Sequence, residues 1–167
     1  MPVSRCAGRR SWREPVIEEG AGDILAADVD AIVVPVNVVG VMGKGLALGF
    51  KQRYPGAFEA YRSACETGDL RLGHVVVTPT GTLRPFLAVH FPTKRHWREP
   101  SRLGDIESGL ASMADLLHRY QVGSLAVPAL GCGLGGLSFD LVAPLVRSAL
   151  GHLPLRVVLF PPVGAGG

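Results

Sequence analysis

Apolar residues fall along the chain in two alternating rhythms. "AIVVPV" (31–36) and "SLAVPAL" (124–130) are short and continuous, which predicts strands buried on both faces. "HVVVTP" (74–79) and "FLAVHF" (86–91) read as strands joined through a "TGT" turn, and "LRVVLFP" (155–161) as the last strand. Between these runs the period changes to that of a helix. Leu46, Phe50 and Tyr54 share one face of "GKGLALGFKQRYP", which Pro55 ends or kinks, and Phe58, Tyr61 and Cys65 carry the stripe on to a stop at Gly68. In "SRLGDIESGLASMADLLHRY" the stripe is Ile106, Leu110, Met113 and Leu117, with Ser101 as the expected N-cap. "SFDLVAPLVRSAL" predicts a helix that starts late or kinks, because Pro144 lies inside it. Gly49, inside the first helix, costs about 1 kcal/mol relative to alanine and has no reason in the pattern.

Strands alternating with helices mean an α/β sandwich around a largely parallel sheet. Residues 1–15 read as a loose arm, 16–162 as one domain and 163–167 as a tail. No internal repeat is present. In folds of this class ligands bind beyond the carboxyl ends of the strands, so the strand-end loops carry the functional question.

Composition narrows the class. A chain of 167 residues suits one domain, and 47% hydrophobic content with a mean hydropathy of +0.28 gives it a substantial core. The 22 glycines and 13 prolines lie at segment ends rather than in a low-complexity tract, so disorder is not expected inside the domain. The net charge of +3 suits an anionic partner. Cys6, Cys65 and Cys132 form no CxxC pair and no zinc spacing, which points to a reduced, cytoplasmic setting without a metal site. The start, "MPVSRCAGRRSWREP", is basic without an apolar stretch, so it is not a signal peptide, and no run approaches a membrane span.

Two strand-end loops are rich in glycine. "NVVGVMGKG" (37–45) follows one buried strand and "GCGLGG" (131–136) another, and each precedes a helix. Such loops offer unhindered N–H groups and a helix dipole to an anion. One of them alone would serve a tight turn; two suit a diphosphate. "GKGLALG" is not a dinucleotide fingerprint, because "NVVGVM" separates it from its strand and no acidic strand end lies at the right distance. "GVMGKG" is not a P-loop, for it lacks the spacing and the hydroxyl residue after lysine. Asn37 hydrogen-bonds a ribose or caps a turn; Asp23 accepts from an adenine amino group or caps a helical turn. Cys132 reads as a small loop residue, with no histidine placed to activate it. A third loop is cationic: "FLAVHF" stops at Lys94, Arg95, His96 and Arg98, with Trp97 among them. It is either a solvated basic rim with Trp97 packed on the domain, or a reactive and anion-binding site.

Taken together, "GDIL", "NVVGVMGKGLALGFKQRYP", "FPTKRHWREPSRLGDIESGL" and "VPALGCGLGGL" resemble the macrodomain family, in the DarG branch of DNA ADP-ribosyl glycohydrolases, whose wider relatives include terminal ADP-ribose protein glycohydrolase. The likeness runs over roughly residues 20 to 160. It implies a three-layer α/β/α sandwich with a mixed, largely parallel sheet. It also implies ADP-ribose as ligand, no cofactor, and removal of ADP-ribose from thymidine in single-stranded DNA. Carried over residue by residue, Asp23 and Ile24 would contact adenine, and Asn37 the distal ribose. Val41, Met42, Gly43, Lys44, Gly45 and Leu46 would wrap the ribose and diphosphate. Gly131, Cys132, Gly133 and Leu134, with Gly135, Gly136 and Leu137, would form the second phosphate loop, and Thr93 would join the ADP-ribose contacts. Lys94 matches the lysine on which hydrolysis depends, and Arg95, His96, Trp97 and Arg98 would flank the scissile bond and hold nucleic acid.

The chemistry suits the residue types. The transition state would resemble an oxocarbenium ion with negative charge gathering on the leaving base. As an ammonium, a lysine protonates or stabilises that base; as a free amine, it attacks the anomeric carbon. Arg95 and Arg98 would lower its pKa, and the diphosphate would raise it. Relatives acting on protein-linked ADP-ribose carry an aspartate where this chain has Gly135. The chain also ends just after the last strand, where DarG proteins continue into a domain that grips the toxin. The expected partners are therefore ADP-ribose and ADP-ribosylated DNA, with a DarT-type toxin depending on that further domain, and the expected state is a monomer away from membranes. The alternatives are a non-catalytic ADP-ribose reader, a hydrolase of another conjugate (a protein ester, O-acetyl-ADP-ribose or another nucleobase), and a structural domain.

Overall fold

In the computed structural model, residues 14–163 are described. Residues 1–13, with Cys6 and most of the expected arm, and 164–167 of the expected tail lie outside them. The strands are β1 (Val16–Glu19), β2 (Ala31–Asn37), β3 (Val76–Pro79), β4 (Leu87–Lys94), β5 (Ser124–Val127) and β6 (Arg156–Leu159). The helices are α1 (Gly45–Arg53), α2 (Pro55–Thr67), α3 (Leu103–Arg119) and α4 (Phe139–Leu150). The strands form one sheet in the order β1-β6-β5-β2-β4-β3. Every pair is parallel except β3 with β4.

Successive side chains of a strand face opposite sides, and here both sides are covered. Ala31 and Val33 of β2 join Val89, Phe91, Leu125 and Val127 under α3 and α4. Ile32, Val34 and Val36 join Phe50, Phe58 and Tyr61 of α1 and α2 on the other face. The result is the expected three-layer sandwich.

The expected stripes are the buried ones. Ile106, Leu110, Met113 and Leu117 of α3 are all buried, and Pro55 both ends α1 and occupies the first turn of α2. Gly68 caps α2 at φ 78°. Some local expectations are corrected. Helix α4 is one helix from Phe139, with Pro144 in its interior; it does not start late, its buried stripe of Val142, Val146 and Leu150 holding it on the core. Ser101 does not cap α3: the cap position is Arg102, without a side-chain bond. Ser101 is instead buried, and its amide donates to the Gly135 carbonyl at 2.9 Å. Strand β5 ends at Val127, short of the apolar run, and β4 continues past Phe91 to Lys94. Gly49 lies close under the 3-10 turn Ile24–Ala26, where a Cβ would come within 3.1 Å of Cδ1 of Leu25.

Candidate functional site

The parallel strands β2, β4, β5 and β6 end at the same edge of the sheet. There the loops enclose a cleft of about 1330 Å³. Four segments build it.

The first wall follows β1. The Gly20 amide donates to the Leu159 carbonyl at 2.8 Å, and a Cβ on Gly20 would lie 2.8 Å from the Phe160 ring, so only glycine lets this turn lie against the aromatic. Asp23 and Ile24 line the cleft. Asp23 also caps the 3-10 turn, its Oδ1 accepting from the Leu25 amide at 2.9 Å, so it has the capping role and the cleft position together. Phe160, Pro161, Pro162 and Val163 complete this wall. None of them was among the expected site residues. The signal was a stretch, "FPPV", directly beyond the carboxyl end of the last strand, where ligands bind in this class of fold.

The second segment follows β2. Val41, Gly43, Lys44, Gly45 and Leu46 all line the cleft. Met42 does not. It is 2% exposed and packs in the core with Phe50, so it anchors the loop from below. Asn37 lines the cleft but spends its polar atoms on the loop. Its Oδ1 accepts from the amides of Val39 and Val41, and its Nδ2 donates to the Val41 carbonyl.

The third is the Gly131–Leu137 loop, closed by the Leu137 amide donating to the Gly131 carbonyl at 2.9 Å. Gly131, Cys132, Gly133, Leu134 and Gly135 line the cleft. Gly136 and Leu137 do not: Gly136 turns the chain at φ 78°, and Leu137 packs on the core. None of the hydrogen bonds among the described residues uses the amides of Gly133, Leu134 and Gly135. Adjacent free N–H groups of this kind form an anion-binding concavity. A Cβ on Gly135 would collide with Ser101 Oγ and the Gly131 carbonyl, so this backbone admits no aspartate there. Burial pushes the Cys132 thiol up, and its Sγ donates to the Leu130 carbonyl, in keeping with a small loop residue rather than a nucleophile.

The fourth is the end of β4. Thr93 and Lys94 line the cleft, as do Trp97 and Arg98. Lys94 Nζ donates to the Trp97 carbonyl at 3.1 Å. Its pKa, for which the sequence offered opposing influences, is lowered by burial. Arg95 and His96 do not line the cleft. Arg95 is exposed, and its carbonyl accepts from the Val38 amide at 3.1 Å, joining this turn to the β2 loop. His96 stacks on Trp97 with ring centroids 3.7 Å apart, and its Nδ1 accepts from the Arg98 amide. Trp97 is 46% exposed, leaving part of its ring open to the cleft. Asp23 is the only carboxylate among the described residues lining the cleft, and no cluster of metal-ligating side chains occurs among the described residues.

Both glycine loops and the strand-end lysine line one cleft, and the segments that carry them fall within one known family. The family model for the Macro domain fits residues 33–146. The chain belongs to the macrodomain family. It is 46% identical over 151 residues to a DNA ADP-ribosyl glycohydrolase of Mycobacterium tuberculosis, covering 89% of this chain and 43% of that protein. A protein of the same description from Thermus aquaticus is 42% identical over 144 residues, covering 85% of this chain and 40% of that one. This macrodomain therefore spans about two fifths of the length of these curated relatives. Among solved structures, the macrodomain of Mycobacterium tuberculosis DarG superposes with a TM-score of 0.86 at 46% identity, covering 88% of this chain and 98% of that one. Thermosipho africanus DarTG in complex with ADP-ribose gives 0.83 at 36% identity, over 89% of this chain and 42% of that one. The macrodomain described here thus stands with those of DarG.

Proposed function

We propose that this macrodomain binds ADP-ribose in the cleft and hydrolyses the bond between its ribose and thymidine in DNA, with Lys94 as the catalytic residue. The observation that carries the reading is the position of Lys94: its amine lies at the lip of a cleft whose two glycine loops suit a diphosphate. The DarG relatives named DNA ADP-ribosyl glycohydrolase support the choice of conjugate.

The residues take the following parts. Asp23, Ile24 and the Phe160–Val163 wall take the adenine. The Val41–Leu46 and Gly131–Gly135 segments take the riboses and diphosphate, Gly133 to Gly135 through their free amides. Trp97 and Arg98 hold the nucleic acid, by stacking on a base and by charge on a phosphate. Burial lowers the pKa of Lys94 and so favours the free amine. The amine nitrogen attacks the anomeric carbon as the bond to the base nitrogen breaks, and the base leaves with that electron pair and takes up the proton that the alkylated amine sheds. Water then displaces the lysine, giving free ADP-ribose. With Asp23 at the adenine end, no other carboxylate among the described residues lines the cleft to share the work. We place the activity in the cytoplasm, on ADP-ribosylated DNA, with the protein as a monomer.

The test mixes the protein, and separately Lys94→Ala, with an oligonucleotide carrying ADP-ribosyl-thymidine. Release of unmodified DNA and ADP-ribose by the wild type alone supports the reading. Binding of ADP-ribose by both proteins with release by neither overturns it in favour of a reader module.

A further inference from the structure

The loop after β2 is folded by one side chain, and that side chain is itself held from beneath. Asn37 Oδ1 accepts from the Val39 amide at 3.2 Å and the Val41 amide at 3.3 Å, and Nδ2 donates to the Val41 carbonyl at 2.8 Å. Below it lies Tyr61 of α2, wholly buried. The Tyr61 hydroxyl donates to Asn37, lying 2.8 Å from its carbonyl oxygen and 2.9 Å from its Oδ1. The Tyr61 ring has little freedom. The His90 ring stacks on it at 5.4 Å and 15°, and Phe58 tilts against it at 6.1 Å. A phenylalanine would fill the same space, so packing does not account for the hydroxyl. Both hydrogen bonds that it donates among the described residues go to the residue that shapes the cleft, and its other polar neighbours are the Cys65 thiol and the backbone of Gly40 and Val41 in the same turn. Burial raises the Tyr61 pKa far above the ordinary range, so the group keeps its proton and remains a donor.

We infer that Tyr61 is a positioning residue of the cleft: its hydroxyl fixes Asn37, and through Asn37 the turn that presents Val41–Leu46 to the ligand. The identity of that ligand rests on the function proposed above. The ordering of the turn does not.

The test compares Tyr61→Phe with Thr78→Val. Thr78 Oγ1 shares a hydrogen bond of 2.7 Å with His90 Nε2, so its loss disturbs the same buried layer without touching Asn37. Amide hydrogen exchange is followed at Val39 and Val41, ADP-ribose affinity is measured by calorimetry, and turnover is measured on the ADP-ribosylated oligonucleotide. In Tyr61→Phe, exchange at both amides rises about fivefold and ADP-ribose binds about fivefold more weakly, the size of one net hydrogen bond. KM rises more than kcat falls. Thr78→Val leaves exchange, affinity and KM at the wild-type values, whatever it does to the melting temperature. If Tyr61→Phe behaves as Thr78→Val does at both amides, the inference is wrong. If the wild type does not bind ADP-ribose, the proposed ligand fails, and exchange at Val39 and Val41 alone decides the role of Tyr61.

Discussion

Asn37 and Lys94 are paired on neighbouring parallel strands, and they are paired only because of a bulge. Along β2 and β4 the register is regular until Val36 opposite Pro92; the next pair is Asn37 with Lys94. The extra residue, Thr93, is buried, with its hydroxyl directed to the Val36 carbonyl at 3.5 Å. A bulge shifts every later side chain to the other face. Here it sets the lysine at the cleft beside the residue that folds the β2 loop. The cationic packet in "HFPTKRHWREP" is thus delivered by a strand end, and its lysine is half-buried rather than free in solvent.

The pH dependence of turnover separates the two roles open to Lys94. Its pKa is depressed by burial, so the charged form gives way to the free amine below the ordinary lysine value of about 10.4. With the amine as nucleophile, kcat/KM rises with pH through that depressed pKa and then levels off. A profile that falls with rising pH over the same range would assign the ammonium as acid.

Removing the Trp97 side chain tests the nucleic-acid contact apart from the ADP-ribose contact. The carbonyl that holds Lys94 is backbone and survives in Trp97→Ala. We expect the affinity for the ADP-ribosylated oligonucleotide to drop by about 1–3 kcal/mol, the value of one stacked base. Free ADP-ribose should bind as in the wild type, and calorimetry with the two ligands distinguishes them.

Gly135 is required by its neighbours. In Gly135→Ala the added methyl meets both Ser101 Oγ and the Gly131 carbonyl, so about 1–3 kcal/mol of stability is lost and the phosphate loop is displaced. Adding Ser101→Gly relieves the side-chain collision but not the one with backbone. Thermal melting should therefore recover only in part, and ADP-ribose affinity should follow it.

His90 makes the fold sensitive to acid. It is fully buried, and burial lowers its pKa from 6.5 to about 4. The folded protein keeps it neutral, while the unfolded chain takes up a proton below about 6.5. The stability linked to neutral His90 is whole above 6.5 and is lost as pH falls towards 4, by about 3 kcal/mol. Urea unfolding at pH 7 and pH 5 should show the loss, and His90→Gln should flatten it. An equal slope in the variant would assign the sensitivity to other groups.

The alternation of helices and strands was legible along the chain, since helix and strand periods depend only on neighbouring residues. The sequence also named both glycine loops and the lysine between them, because free amides and cations advertise themselves by composition. It did not reveal the wall at Phe160–Val163, since an apolar stretch after a strand looks the same whether it ends a core or lines a cleft. It did not separate Met42 from Val41, or His96 from Trp97, because which neighbour turns inward depends on what waits beneath. The N-cap at Ser101 failed for the same reason: local chemistry suggests a cap, whereas the Gly135 backbone, distant in sequence but pressed against it, decides its use. Tertiary structure alone brought Tyr61 under Asn37 and opened the register to carry Lys94 to the cleft, because both depend on contacts between segments that the chain holds far apart.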